Sequence, residues 1–325
     1  VLGEREISFG ELARRASALA PSLSQGGKVA FVAAPREAPL TLALSAIALG
    51  VPLVPLHPRS TESERARLLA RIPDARLVDE PAVLDALERP ARRGGIDVAD
   101  DERPLAVLTS SGTSGEPKCV VLSRRAFAAS ARASASNLGW TGDDRWLATM
   151  PFAHAGGLSI LTRCLAARRP VVVEPGFDPD RVLELAARRR VSLLSVVPTM
   201  LADLLAHPRA ESLAMLRAIL VGGAACRPDL LRAARARGAA VLTTYGLTET
   251  CSQVTTQPLG DPAMRGETDS GVALPGVDVS VVDPDGRSIV GEEGRIVVRG
   301  PTLMSGYLGA APLRRDQALD TGDRG

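Results

Sequence analysis

Lys118 closes a run of small residues, Thr109-Ser110-Ser111-Gly112-Thr113-Ser114-Gly115-Glu116-Pro117, set between two apolar segments, Pro104 to Leu108 and Cys119 to Leu122. Glycine and short hydroxyl residues let a backbone fold tightly, so that several N–H and O–H groups converge on one anion. A lysine just beyond adds a point charge suited to outer phosphates. A Ser/Gly linker has a similar composition, but linkers are seldom pinned between two buried strands. The run is not the common nucleotide P-loop, whose lysine opens a helix and precedes Ser or Thr. Here Cys119 and a strand follow.

Three more segments carry groups of the same kind. Thr244-Tyr245-Gly246-Leu247-Thr248-Glu249-Thr250 follows an apolar strand, at a carboxyl end where α/β sheets bind ligands. Tyr245 offers a flat face for a purine, Gly246 lets backbone approach, Thr248 can donate to phosphate, and Glu249 can hold a hard cation. Taken singly, Tyr245 reads equally as a core aromatic and Glu249 as a helix-start carboxylate. Val221-Gly222-Gly223-Ala224-Ala225 could lay backbone against a base, or be a tight turn. Thr321-Gly322-Asp323-Arg324-Gly325 could offer a carboxylate to both ribose hydroxyls, or be an exposed Asp-Gly turn.

The elements around these segments alternate. Ser8 and Glu11, then Thr61 and Glu64, form the S/T-x-x-E pattern of a capping box before a helix. Strands are expected at Lys28 to Val32, Val51 to Leu56, Ala75 to Val78, Trp146 to Met150, Val171 to Glu174, Val191 to Val197, Arg217 to Val221 and Ala240 to Thr244. Pro52 and Pro55 mark an edge or an irregular end. Helices are expected at Leu40 to Leu49, Arg124 to Ser136, Gly157 to Ala167, Asp178 to Arg190, after Pro198, and at Pro228 to Arg237. Pro90 to Arg103 reads as a loop. Such alternation predicts an α/β fold with largely parallel sheets covered on both faces. After Gly271 the pattern changes. Val277 to Val282, the turn Asp283-Pro284-Asp285-Gly286, Gly294 to Val298 and Leu303 to Leu308 predict a smaller antiparallel β subdomain. Residues 1–270 are therefore expected to hold two α/β subdomains, and 271–325 the β subdomain.

Composition excludes several classes. Of 325 residues, 45% are hydrophobic and 23% charged, with a net charge of +2, so no nucleic-acid partner is indicated. Arginines such as those in Arg181 to Arg190 read as a solvated helix face. Cys119, Cys164, Cys226 and Cys251 lack metal-ligand spacing and read as free thiols of a reducing compartment. With no signal peptide and no apolar run of membrane-spanning length, the cytosol is the default location. Val1 begins almost on a helix start and Gly325 stops after an Asp-containing turn, as expected of an excised domain.

Together and in this order, TSSGTSGEPK, VGGAA, TYGLTET and TGD resemble the adenylate-forming superfamily of acyl-CoA synthetases, luciferases and peptide-synthetase adenylation domains. The resemblance implies a large N-terminal domain with two α/β subdomains and a β subdomain. It implies ATP, Mg²⁺ and CoA, with a small-molecule carboxylate as substrate. By resemblance, Thr109, Ser110, Ser111, Gly112, Thr113 and Lys118 handle the ATP phosphates. Gly222, Gly223, Ala224 and Tyr245 border adenine within a cofactor segment that includes Thr244 and Gly246. Thr248 contacts phosphate, Glu249 binds Mg²⁺ and Asp323 binds ribose. Lys118, Thr248 and Glu249 are the expected catalytic groups. The family's small C-terminal domain, with its hinge and assisting lysine, is expected to lie outside these 325 residues.

PFAHAGGLSILTRCL (Pro151 to Leu165), SVVPTML (Ser195 to Leu201) and TYGLTETCSQ (Thr244 to Gln253) are most similar to the o-succinylbenzoate–CoA ligases of menaquinone biosynthesis. That substrate is a dicarboxylate, so one carboxylate reacts while another must be held. Arg163, or a hydroxyl such as Ser195, Thr255 or Thr256, is expected to hold it, Arg163 on the solvent face being the alternative. His154 is expected at the acyl pocket, or else as a partly buried histidine with a backbone partner. An amino-acid-activating domain would need a carboxylate within Pro151 to Ser159, and none is present. Another aryl- or fatty acyl-CoA synthetase, a non-catalytic nucleotide-binding fragment and a homodimer all stay open.

Overall fold

Local sequence starts the helices where expected. In this computed structural model, which describes residues 1, 5–88, 101–110, 117–262 and 266–325, the Ser8 hydroxyl accepts the Glu11 N–H at the head of helix Phe9–Leu23. Thr61 and Glu64 complete a reciprocal capping box on helix Glu62–Ala70. Asp178 caps Pro179–Arg188, and Gly50, at φ 71°, closes Glu37–Leu49 in the left-handed conformation. One helix, Glu80–Glu88, had no sequence expectation.

These helices cover two sheets. The first runs Gly306–Tyr307, Lys118–Ser123, Pro104–Ser110, Leu53–Leu56, Lys28–Val32, Ala75–Leu77. Its last four strands are parallel, and the first two pair antiparallel to their neighbours. The second runs Val272–Ala273, Ser252–Thr256, Val241–Leu247, Ala218–Val221, Leu193–Val196, Trp146–Ala148, Val171–Val173, parallel from Val241–Leu247 onward. A third sheet, Ser288–Ile289, Asp278–Val282, Arg295–Arg299, Leu319–Arg324, is antiparallel. One core joins all three, from Leu53 and Leu108 through Trp146 and Leu242 to Val298 and Leu319. The fold is α/β, with two largely parallel sheets and a smaller antiparallel one.

Three expectations are corrected. Leu53–Leu56 is a fully buried internal strand, not an edge. Pro55 is tolerated because the ladder to Pro104–Ser110 is thin, registering only at Leu53 with Ala106. Within Leu303 to Leu308, Gly306–Tyr307 leaves the β subdomain and pairs with Val121 and Val120 of the first sheet. Asp323 lies in the strand Leu319–Arg324 rather than in a turn, although Gly322 has φ 79°. Much of the expected loop Pro90 to Arg103 lies outside the described residues.

Candidate active site

The carboxyl ends of the parallel strands open into a cavity of about 780 Å³. Met150 and Pro151 follow Trp146–Ala148, Val197 follows Leu193–Val196, and Gly222 and Gly223 follow Ala218–Val221. Thr109 and Ser110 reach it from the first sheet, so both α/β halves build the wall. The strand Val241–Leu247 leaves the parallel ladder after Thr243 and turns back through Thr248–Thr250 into Ser252–Thr256. A bulge at Tyr245/Gly246 re-aims this hairpin. A Cβ on Gly246 would lie 1.7 Å from the Ser252 carbonyl oxygen, so only glycine fits. Cys251 and Ser252 hold positive φ, 55° and 87°, at the tip of the same turn.

Glu249 is the hub of the polar end. Its Oε1 accepts the Ser110 hydroxyl at 2.9 Å and the Tyr307 hydroxyl at 3.1 Å. Met304 N–H donates to the Glu249 carbonyl at 2.8 Å. Lys118 Nζ stands 5.0 Å from the Tyr307 ring centroid, a cation–π contact. Lys118 is exposed beside the cavity rather than in its lining, while Thr248 and Glu249 line it. Thr109 and Ser110 end a strand rather than begin a loop, paired with Cys119 and Lys118. Ser111, Gly112 and Thr113 lie outside the described residues.

The Tyr245 hydroxyl donates to Asp323 Oδ2 at 2.8 Å, bringing the expected adenine and ribose residues together at the rim. Burial, then the Asp323 carboxylate, pushes the Tyr245 hydroxyl well above its ordinary pKa. Gly222 packs under Thr244, whose methyl would sit 2.7 Å from an added Cβ. Gly222, Gly223, Thr244 and Gly246 line the cavity; Ala224, Tyr245 and Asp323 do not.

The opposite end is built on helix Ala155–Ala167, nearly all of whose first ten residues are buried. Arg163 is 3% exposed and lines the cavity, which overturns the solvent-face alternative. Its Nη2 reaches Ser130 Oγ at 3.3 Å and Ser252 Oγ at 3.4 Å, and the guanidinium stands 5.7 Å from the Trp146 ring centroid. Nε has no hydrogen-bond partner, and no carboxylate pairs with the side chain among the described residues. Burial pushes the guanidinium down to about 10, so it stays charged at neutral pH. Ser195 Oγ also lines the cavity and accepts Trp146 Nε1–H at 3.1 Å, leaving its own proton to donate. Thr255 and Thr256 are not in the lining; Thr256 Oγ1 is buried under the Gln253 amide. His154 caps the helix and is exposed at the cavity, its ring centroid 5.4 Å from that of His57. Partial desolvation at the cavity wall, then the neighbouring His57, lowers its pKa.

A family model described as AMP-binding enzyme matches residues 1–308. The chain belongs to the AMP-binding enzyme family. This family member is 32% identical to an indoleacetate–CoA ligase of Aromatoleum aromaticum, over 99% of the chain and 71% of the relative. It is 34% identical to a 2-succinylbenzoate–CoA ligase of Enterococcus faecalis, over 70% of the chain and 48% of that protein. The chain thus spans about half of the latter relative and under three quarters of the former. In structure it is similar to the o-succinylbenzoate CoA synthetase of Bacillus subtilis in complex with ATP and magnesium ion. The TM-score is 0.87 at 28% identity, over 100% of the chain and 73% of that structure. ATP-bound MatB from Rhodopseudomonas palustris gives a TM-score of 0.87 at 28% identity, over 99% and 72%.

In this AMP-binding enzyme the donor set fits Mg²⁺. Glu249 offers a hard carboxylate oxygen at the cavity wall. Mg²⁺ commonly takes one or two carboxylates plus substrate phosphates rather than an all-protein cage. Sequence reasoning missed Tyr307, Ser252 and Gln253. No described helix is long and apolar enough to cross a membrane.

Proposed function

We propose that the chain adenylates a carboxylic acid with ATP and serves an acid–CoA ligase, with o-succinylbenzoate as the acid. The observation that carries the substrate assignment is Arg163, a buried cation in the cavity wall without a carboxylate partner among the described residues. A buried, unpaired charge is costly, and a planar carboxylate satisfies a guanidinium through two parallel hydrogen bonds. Arg163 would take the carboxylate that does not react, with Ser252 and Ser195 beside it.

The first step joins two anions. The acid's carboxylate attacks the α-phosphorus of ATP in line and expels pyrophosphate. The thiol of CoA then attacks the acyl-adenylate carbonyl and expels AMP. Positioning and charge neutralisation dominate such chemistry. Lys118 would sit on the departing phosphates, Thr248 would donate to phosphate oxygen, and Thr109 and Ser110 would hold the strand end against them. Tyr245 and Gly222 would bracket adenine, and Asp323 would accept the ribose hydroxyls. Glu249 would hold Mg²⁺, which supplies charge neutralisation on the phosphates when bound. His154, its pKa lowered by desolvation and by the neighbouring His57, would face the acyl-adenylate.

A second reading is favoured by the 32% identity to the indoleacetate ligase over nearly the whole chain. An arylacetate has no second carboxylate for Arg163. Calorimetry with acyl-sulfamoyl-adenosine analogues separates the two readings. Tightest binding of the o-succinylbenzoyl analogue supports the dicarboxylate; equal or tighter binding of the indoleacetyl analogue moves the enzyme to monocarboxylates.

A further inference from the structure

We infer that Tyr307 is a positioning residue that sets both Lys118 and Glu249, and thereby the affinity for Mg²⁺-bound nucleotide; this rests on the adenylating reading above. Tyr307 comes from a strap, Met304 to Leu308, that crosses from the β subdomain into the first sheet. The strap is fastened on both sides of the site. Met304 N–H donates to the Glu249 carbonyl at 2.8 Å, Ser305 N–H to Val121 O at 2.8 Å and Leu308 N–H to Cys119 O at 2.8 Å. Gly306 makes the crossing at φ 140°, with Pro312 Cα only 3.2 Å from where a Cβ would stand. The side chain of Tyr307 is thereby held between two strands' worth of fixed backbone.

One ring then serves two charges. Its face lies under Lys118 Nζ at 5.0 Å, which restrains a flexible side chain without neutralising it. Its hydroxyl donates to Glu249 Oε1 at 3.1 Å, the oxygen that also accepts Ser110 at 2.9 Å. Two neutral donors on Oε1 fix the carboxylate plane, while Oε2 has no hydrogen-bond donor among the described residues and is the oxygen left for a cation. Groups that orient a metal-binding carboxylate in this way typically change metal affinity when removed.

The test is calorimetric titration of ATP, with Mg²⁺ and with excess EDTA, into the wild-type chain, Y307F, Y307L and E249Q, with a thermal melt as folding control. Y307F keeps the ring and loses the hydroxyl. It is expected to weaken Mg·ATP binding about tenfold while leaving metal-free ATP within about twofold. Y307L removes both contacts and is expected to weaken both forms. A merely structural role would lower the melting temperature without changing the ratio of the two affinities. Wild-type Mg²⁺ dependence that E249Q abolishes and Y307F leaves intact would overturn the role of Tyr307 alone. Wild-type binding indifferent to Mg²⁺, with E249Q equal to wild type, would overturn the nucleotide reading and this inference together.

Discussion

Ser110 and Glu249, 139 residues apart, are joined by a 2.9 Å hydrogen bond that ties the first sheet's hairpin to the turn between Val241–Leu247 and Ser252–Thr256 of the second sheet. The bond spans the two α/β halves at the mouth of the cavity. S110A is expected to leave folding within about 1 kcal/mol, since one hydrogen bond is lost at a half-buried site. Its expected effect is a several-fold rise in the Kd for Mg·ATP, read by calorimetry, with acyl-end selectivity unchanged.

Gly246 is expected to tolerate no side chain. An alanine Cβ would fall 1.7 Å from the Ser252 carbonyl oxygen, and backbone cannot yield as a flexible side chain does. G246A should cost about 3 kcal/mol in chemical denaturation. It should also disturb Ser252 and so the Arg163 contact.

Asp144 and Arg217 form a buried network remote from the cavity. Burial alone would raise the Asp144 pKa, but hydrogen bonds from Arg217 at 2.6 and 3.0 Å, with Ser192 and the Thr141 N–H, outweigh it and the net shift is downward. A lowered folded-state pKa gives stability that is present above the unfolded value, near 4, and lost as pH falls through the folded value. D144N should therefore flatten the acid limb of the stability–pH curve. At pH 7 it should destabilise by about 3 kcal/mol, because Arg217 loses its carboxylate.

His154 acts at a higher pH. Its folded-state pKa is lowered, so below about 6.5 the unfolded chain takes up the proton first. Stability then falls as pH drops from 6.5 to the lowered value, and H154Q should reduce the slope in that window, measured by urea denaturation at pH 5 to 7.5.

Much of this was legible in sequence, and what was not has physical reasons. The alternation of strands and helices is local: capping at Ser8, Thr61 and Asp178 and stops such as Gly50 each lie within a few residues of what they control. Gly222-Gly223 and the turn after Thr243 were legible because they leave the carboxyl ends of parallel strands, where such strands converge on a cavity, whereas Asp323 sits within an antiparallel strand. Tyr307 was missed because its partners, Lys118 and Glu249, lie far off in sequence and nothing near Gly306 announces a change of sheet. The buried state of Arg163 had a signal that went unread. Ala155–Ala167 is small or apolar on every face apart from this residue, and a helix apolar all round is buried all round. Of the two readings of Pro52 and Pro55, an edge or an irregular end, the second holds: the strand starts only after Pro52, and its ladder to Pro104–Ser110 registers only at Leu53.

Under the proposed function, Arg163 would recognise a second carboxylate on the acid being activated. The most direct measurement is a thermodynamic cycle by calorimetry, pairing wild type and R163M with the o-succinylbenzoyl- and benzoyl-sulfamoyl-adenosine analogues. R163M should lose about 3 kcal/mol of binding with the dicarboxylate analogue and little with the other, as for a desolvated charge pair that loses one partner. The free protein should melt no lower, since an unpaired buried cation has been replaced by an apolar side chain. Equal losses for both analogues, or none for either, would contradict the claim.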